Sequence, residues 1–130
     1  MTAIQTNAGN RPKPQRAPIR VMLVDDSVVA RSIFARVLGK HDQIESVCEA
    51  EDSEAALNNL ETNIVDIILL DIEMPKRSGL EALPDIQAKA NGARILVVSA
   101  FAEENGPAAI QALSLGACDT LAKPGRSGFS

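Results

Sequence analysis

The sequence predicts an α/β domain in which a five-stranded parallel sheet lies between helical layers. Three observations predict it. Short β-branched or apolar runs alternate along the chain with segments whose apolar residues recur at helical spacing. The run from Val65 to Leu70, interrupted only by Asp66, is apolar enough for a central strand buried on both faces, as parallel strands are. The runs also end in polar residues: Asp25 and Asp26, Asp71, Ser99 and Lys123. A parallel sheet gathers those ends along one edge.

At 130 residues the chain has room for one core, since a domain of this size buries about two thirds of the surface its unfolded form exposes. With three Phe and neither Trp nor Tyr, that core is built from Val, Ile, Leu and Ala, and there is little to stack on nucleobases. A net charge of -4 excludes the basic footprint that grips nucleic-acid phosphates and points to a protein partner. No apolar stretch approaches the roughly 20 residues that span a bilayer, and no apolar signal core follows Met1. A cytoplasmic protein without membrane contact is expected. Cys48 and Cys118 fall in predicted strands outside any C-x-x-C pattern and read as reduced core residues. His41, in a polar loop, reads as solvated, and with two cysteines it offers zinc too few ligands.

Residues 1–18 are polar, aperiodic and punctuated by Pro12, Pro14 and Pro18, which predicts a disordered tail. The domain is expected over 19–125. Ile19 to Val24 is the first strand; Ser27 caps a helix carrying Ala30, Ile33, Phe34 and Val37 and closed by Gly39. Ile44 to Cys48 is the second strand, after which Ser53 caps a helix with Ala56, Leu57 and Leu60 on one face. Val65 to Leu70 follows. The third helix runs from Gly79 to about Ala90 with Leu80, Leu83 and Ile86 inward, and Pro84 removes one of its hydrogen bonds. Arg94 to Val98 is the fourth strand, Pro107 to Leu115 a fourth helix with Ile110 and Leu113 inward, and Cys118 to Ala122 the fifth strand.

Repeated β-α units require right-handed crossovers. No Gly-x-Gly-x-x-Gly follows the first strand, so the dinucleotide-binding order lacks its phosphate cradle and the flavodoxin-like three-layer α/β/α order 2-1-3-4-5 is left. The helix that would normally follow the fifth strand is missing or truncated, because only Gly125 to Ser130 remain, with 126–130 reading as a stub or linker. Apolar sheet surface is then expected to be partly uncovered, which points to a dimer, to a partner supplying the helix or, preferred, to a chain cut from a longer protein.

Carboxylates crowded at one edge repel by about 4 kcal/mol per pair at roughly 4 Å and an effective dielectric near 20. Such a site is poised for a cation. Hard oxygens without a His or thiolate cluster suit Mg²⁺, which keeps waters that a phosphoryl oxygen can replace. Asp71, after the most buried strand, is the natural nucleophile toward phosphorus, with Asp25 and Asp26 left to hold the metal. Lys123 would balance the equatorial oxygens and Ser99 would donate its hydroxyl.

Leu23-Val24-Asp25-Asp26-Ser27, Asp71-Ile72-Glu73-Met74-Pro75 with Gly79, Val98-Ser99-Ala100 and Ala122-Lys123-Pro124 resemble the motifs of the response regulator receiver family, the phosphoacceptor half of two-component signalling. The resemblance implies that Asp71 takes a phosphoryl group from a histidine kinase or phosphotransfer protein. It implies that Asp25, Asp26, Asp71 and the Glu73 backbone carbonyl site Mg²⁺, that Ser99 and Lys123 sense the phosphoryl group, and that the Lys123-Pro124 bond is cis. The output partner or domain would meet helix four and strand five. Gly79 to Pro84, and Gly116 to Asp119 with Ala122 to Gly125, most resemble the receivers of chemotaxis protein-glutamate methylesterases.

Three positions depart from the family. Thr120 stands where an aromatic switch is usual, Ser78 where an acidic residue is common, and Phe101 puts bulk where it would hinder a hydrolytic water and lengthen the life of the phosphoryl group. Ser99, Thr120 and Phe101 are therefore the expected switch positions. Two rival readings stay open. A regulatory fragment of a methylesterase would carry no ester chemistry itself, since His41 lies far from the strand end holding Ser99. A metal-dependent aspartyl phosphatase would usually place a second Asp two residues after the first, where Glu73 stands. The chain is not expected to be a conventional enzyme beyond its own phosphorylation and dephosphorylation, although a parent protein could be a methylesterase.

Overall fold

A computed structural model describes residues 18–99 and 106–122. Five strands, β1 (Ile19–Val24), β2 (Ile44–Ala50), β3 (Ile67–Asp71), β4 (Arg94–Ser99) and β5 (Asp119–Ala122), alternate with four helices, α1 (Val28–Leu38), α2 (Ser53–Thr62), α3 (Gly79–Lys89) and α4 (Pro107–Ser114). The sheet order is β2-β1-β3-β4-β5 with every pair parallel, as the sequence predicts.

The sheet divides the core in two. On one face Met22, Val24, Ile68, Leu70, Ile95 and Val97 pack with Ala56 of α2, Leu83 and Ile86 of α3 and Ala112 of α4. On the other, Val21, Leu23, Leu69 and Val98 pack against Phe34, Ala35 and Leu38 of α1. Alternation along each strand sends neighbours to opposite faces, and this is why β3 is apolar from Ile67 to Leu70, up to its last residue Asp71.

Local chemistry sets the helix starts. The Ser27 hydroxyl accepts from the Ala30 N–H at the head of α1. Ser78 and Glu81 form a reciprocal capping box at the head of α3, so the serine found in place of an acidic residue has a structural use. Pro84 lies inside α3, as expected.

Some expectations need correction. Asp52, not Ser53, caps α2: its carboxylate accepts from the Ala55 N–H. Ser53 is buried and its hydroxyl donates to the Arg77 carbonyl at 3.4 Å. Both residue types cap well, and the one outside the first turn takes the role. Cys118 is exposed, one residue ahead of β5, rather than in the core, whereas Cys48 is partly buried on β2. Ile110 and Leu113 do not face inward: they are 56% and 46% exposed, and Ala109 and Ala112 face the core instead. The same i, i+3 spacing serves either pair, and the alanines let α4 approach the sheet closely. Leu121 on β5 is also 38% exposed, but it pairs with Val98 and so lies on the α1 face of the sheet, opposite the face that α4 covers. The predicted tail up to residue 17, the C-terminal stub, Lys123 and the cis bond expected between it and Pro124, and Phe101 lie outside the described residues.

Candidate functional site

Each acidic residue reaches the site through its place at a strand end. Asp25 follows β1 directly, and its own N–H continues the ladder to the Ala50 carbonyl at 3.0 Å. One carboxylate oxygen then accepts from the Ser27 N–H at 2.8 Å, turning the chain into α1. Asp71 is the last residue of β3, 1% exposed, and its Oδ1 accepts from the Glu73 N–H at 3.1 Å. Asp26 stands next to Asp25 on the exposed side.

The three carboxylates converge: one oxygen from each of Asp25, Asp26 and Asp71 lies within 4.8 Å of the others. At such separations each pair repels by about 3 kcal/mol at an effective dielectric near 20, less where water screens Asp26. A small divalent cation reverses the sign of that energy. Hard carboxylate oxygens, two of them buried and one facing solvent, fit an ion that keeps part of its water shell.

The loop after β3 closes against the site. The Ile72 N–H donates to the Val98 carbonyl and the Gly79 N–H to the Ile72 carbonyl, both at 2.9 Å. A Cβ on Gly79 would lie 2.2 Å from the Asp71 carbonyl oxygen, so only glycine permits this approach. Ser99, 6% exposed, ends the neighbouring strand β4, and its hydroxyl donates to Glu73 Oε2 at 2.6 Å.

Of the residues singled out from the sequence, Asp25, Asp26, Asp71, Glu73 and Ser99 meet at this edge. Thr120 of β5 pairs with Val97 of β4, two positions before β5 ends. Two features escaped sequence reasoning. The Glu73 side chain, as distinct from its carbonyl, reaches Ser99. Arg31 of α1 donates through Nε to Glu49 at 2.8 Å and through its guanidinium to the Asp25 carbonyl, tying the β1-α1 loop to the end of β2. An arginine four residues after a helix cap carried a local cue, but its partners lie on separate segments.

Fold and site together define a doubly wound parallel α/β domain with an acid cluster at the carboxyl edge of its sheet, the usual ligand-binding edge of such folds. The chain belongs to the response regulator receiver domain family, whose model matches residues 21–128. It is 37% identical over 122 residues to the protein-glutamate methylesterase/protein-glutamine glutaminase of group 2 operon of Bradyrhizobium diazoefficiens, covering 94% of this chain and 31% of that protein. Identity is 43% over 106 residues to protein-glutamate methylesterase/protein-glutamine glutaminase 2 of Caulobacter vibrioides, covering 82% and 30%. The chain thus spans less than a third of the length of these two relatives.

Among solved structures, the response regulator domain of Thermotoga maritima CheB superposes with a TM-score of 0.76 at 36% identity, covering 87% of this chain and 83% of that one. A chain from the crystal structure of the P1 domain of CheA3 in complex with CheY6 from R. sphaeroides gives 0.74 at 35%, covering 86% and 87%. A response regulator protein from Burkholderia pseudomallei with a phosphorylated aspartic acid, calcium ion and citrate gives 0.73 at 28%, covering 82% and 61%. The likeness to methylesterase receivers drawn from the sequence therefore holds. Among the described residues no helix is long and apolar enough to cross a membrane.

Proposed function

We propose that this receiver domain is phosphorylated on Asp71, with Asp25, Asp26, Asp71 and the Glu73 carbonyl holding Mg²⁺. The observation that carries the proposal is the convergence of three carboxylates on the buried end of β3. An Asp71 oxygen forms a bond to the donor's phosphorus as the donor's own bond to phosphorus breaks, the P–N bond of a phosphohistidine or the P–O bond of acetyl phosphate. The donor leaves with the electron pair, and the imidazole keeps its ring proton. The cation supplies charge neutralisation and orientation of the phosphoryl oxygens. Ser99 and Lys123 are the residues assigned to hold those oxygens afterwards, with Thr120 and Phe101 shaping the response. The donor is a histidine kinase or phosphotransfer protein, a role supported by the P1 complex among the structural neighbours.

The output surface is formed by α4 and β5, with Ile110 and Leu113 exposed on α4, and the output is a protein-glutamate methylesterase activity, in keeping with the curated relatives. The setting is cytoplasmic. Incubation with acetyl phosphate and Mg²⁺ tests the core of this reading. Intact-mass measurement is expected to show one added phosphoryl group, absent in Asp71→Asn and absent when the cation is chelated. An adduct that persists in Asp71→Asn would refute the assignment.

A further inference from the structure

We propose that the Glu73 side chain is a latch on Ser99, holding its hydroxyl in the unphosphorylated protein and releasing it when a phosphoryl group on Asp71 competes for the same proton. The inference deepens the phosphoacceptor reading and rests on it. Its basis is the 2.6 Å hydrogen bond from Ser99 Oγ to Glu73 Oε2, which joins residues 26 apart in the chain. A serine hydroxyl has one proton to donate. While that proton lies on the Glu73 carboxylate, it cannot also serve a phosphoryl oxygen. An O–H···O⁻ bond of this length belongs to the strong, charge-assisted kind. Ser99 is nearly inaccessible to water, so solvent offers its hydroxyl little alternative.

Glu73 also touches the other party. Its backbone N–H donates to Asp71 Oδ1, so one residue bridges the phosphoacceptor carboxylate and the hydroxyl at the end of the neighbouring strand. Asp71 pairs with Val98, the residue before Ser99, so both acceptors compete for the proton within one strand-end turn. Breaking the latch is part of the work of switching, and its strength sets how far a phosphoryl group shifts the population.

The test titrates the full chain with beryllofluoride, a phosphoryl-shaped probe, in the presence of Mg²⁺. Wild type, Glu73→Gln and Glu73→Ala are compared, each with Ser99 present and with Ser99→Ala. Glu73→Ala is expected to bind the probe about tenfold more tightly than wild type, with Glu73→Gln, a neutral acceptor, in between. Both gains are expected to vanish with Ser99→Ala, because no hydroxyl remains to be released. Unchanged affinity in the Glu73 variants would overturn the latch. So would an equal gain with Ser99→Ala, which would mean that Glu73 acts through its charge alone. Failure of wild type itself to bind the probe would overturn the phosphoacceptor reading, and the latch with it.

Discussion

A Cβ added to Gly79 would meet the backbone of Asp71 and Ile72 rather than a side chain able to swing aside. Gly79→Ala is therefore expected to destabilise the fold by about 2–3 kcal/mol, read from urea unfolding, and to displace Asp71 itself. The two cysteines differ for another local reason. Burial raises the Cys48 thiol above its ordinary 9.0, its backbone hydrogen bond opposes this, and the Glu49 charge adds to it. The folded state thus holds that proton more tightly than the unfolded state does. The associated stability is complete below 9.0 and is lost as pH rises through the folded value. Because the thiolate is the reacting form, iodoacetamide at pH 8 is expected to label exposed Cys118 well before Cys48, as peptide mass mapping would show.

At the scale of the element, α4 shows why helical periodicity does not choose a face. Its two i, i+3 pairs, Ala109 with Ala112 and Ile110 with Leu113, are equally spaced, and the small pair faces the core. Ala112→Leu is expected to cost about 1–3 kcal/mol by overpacking, whereas Ile110→Ser is expected to shift stability by no more than about 0.5 kcal/mol. Parallel urea titrations of the two variants check both values. A face of equal cost at both positions would contradict the packing. The helices on the α2 side are also joined at the surface, where Lys89 of α3 contacts Glu61 of α2. The hydrogen bond and charge of that lysine hold the Glu61 carboxyl below its ordinary value. A lowered value means that this contribution is present at neutral pH and is lost as pH falls through the folded value.

For the whole molecule, folding concentrates negative charge at one sheet edge, and the energy stored there is returned when a cation arrives. Mg²⁺ at about 100 times its dissociation constant is expected to raise the unfolding free energy by about 2.7 kcal/mol, because it binds only the assembled site. Thermal melts with and without the ion measure this, and Asp26→Asn is expected to lose most of the increment while folding normally, since Asp26 is exposed. An equal rise in that variant would place the cation elsewhere.

Much of this is legible in the sequence alone. The strand runs, the capping residues Ser27 and Gly39, the order β2-β1-β3-β4-β5 and the meeting of Asp25, Asp26 and Asp71 follow from apolar period, end residues and crossover handedness. All of these are local or topological properties. Ser53 and Asp52 were less separable, because neighbouring residues with equal capping chemistry differ only in where the first turn begins. Three features belong to the tertiary structure alone: the inward face of α4, the bridge from Arg31 to Glu49 and Asp25, and the hydrogen bond of Glu73 to Ser99. Each depends on the distance between segments far apart in the chain. Local propensity does not set such distances; packing of the two core layers does.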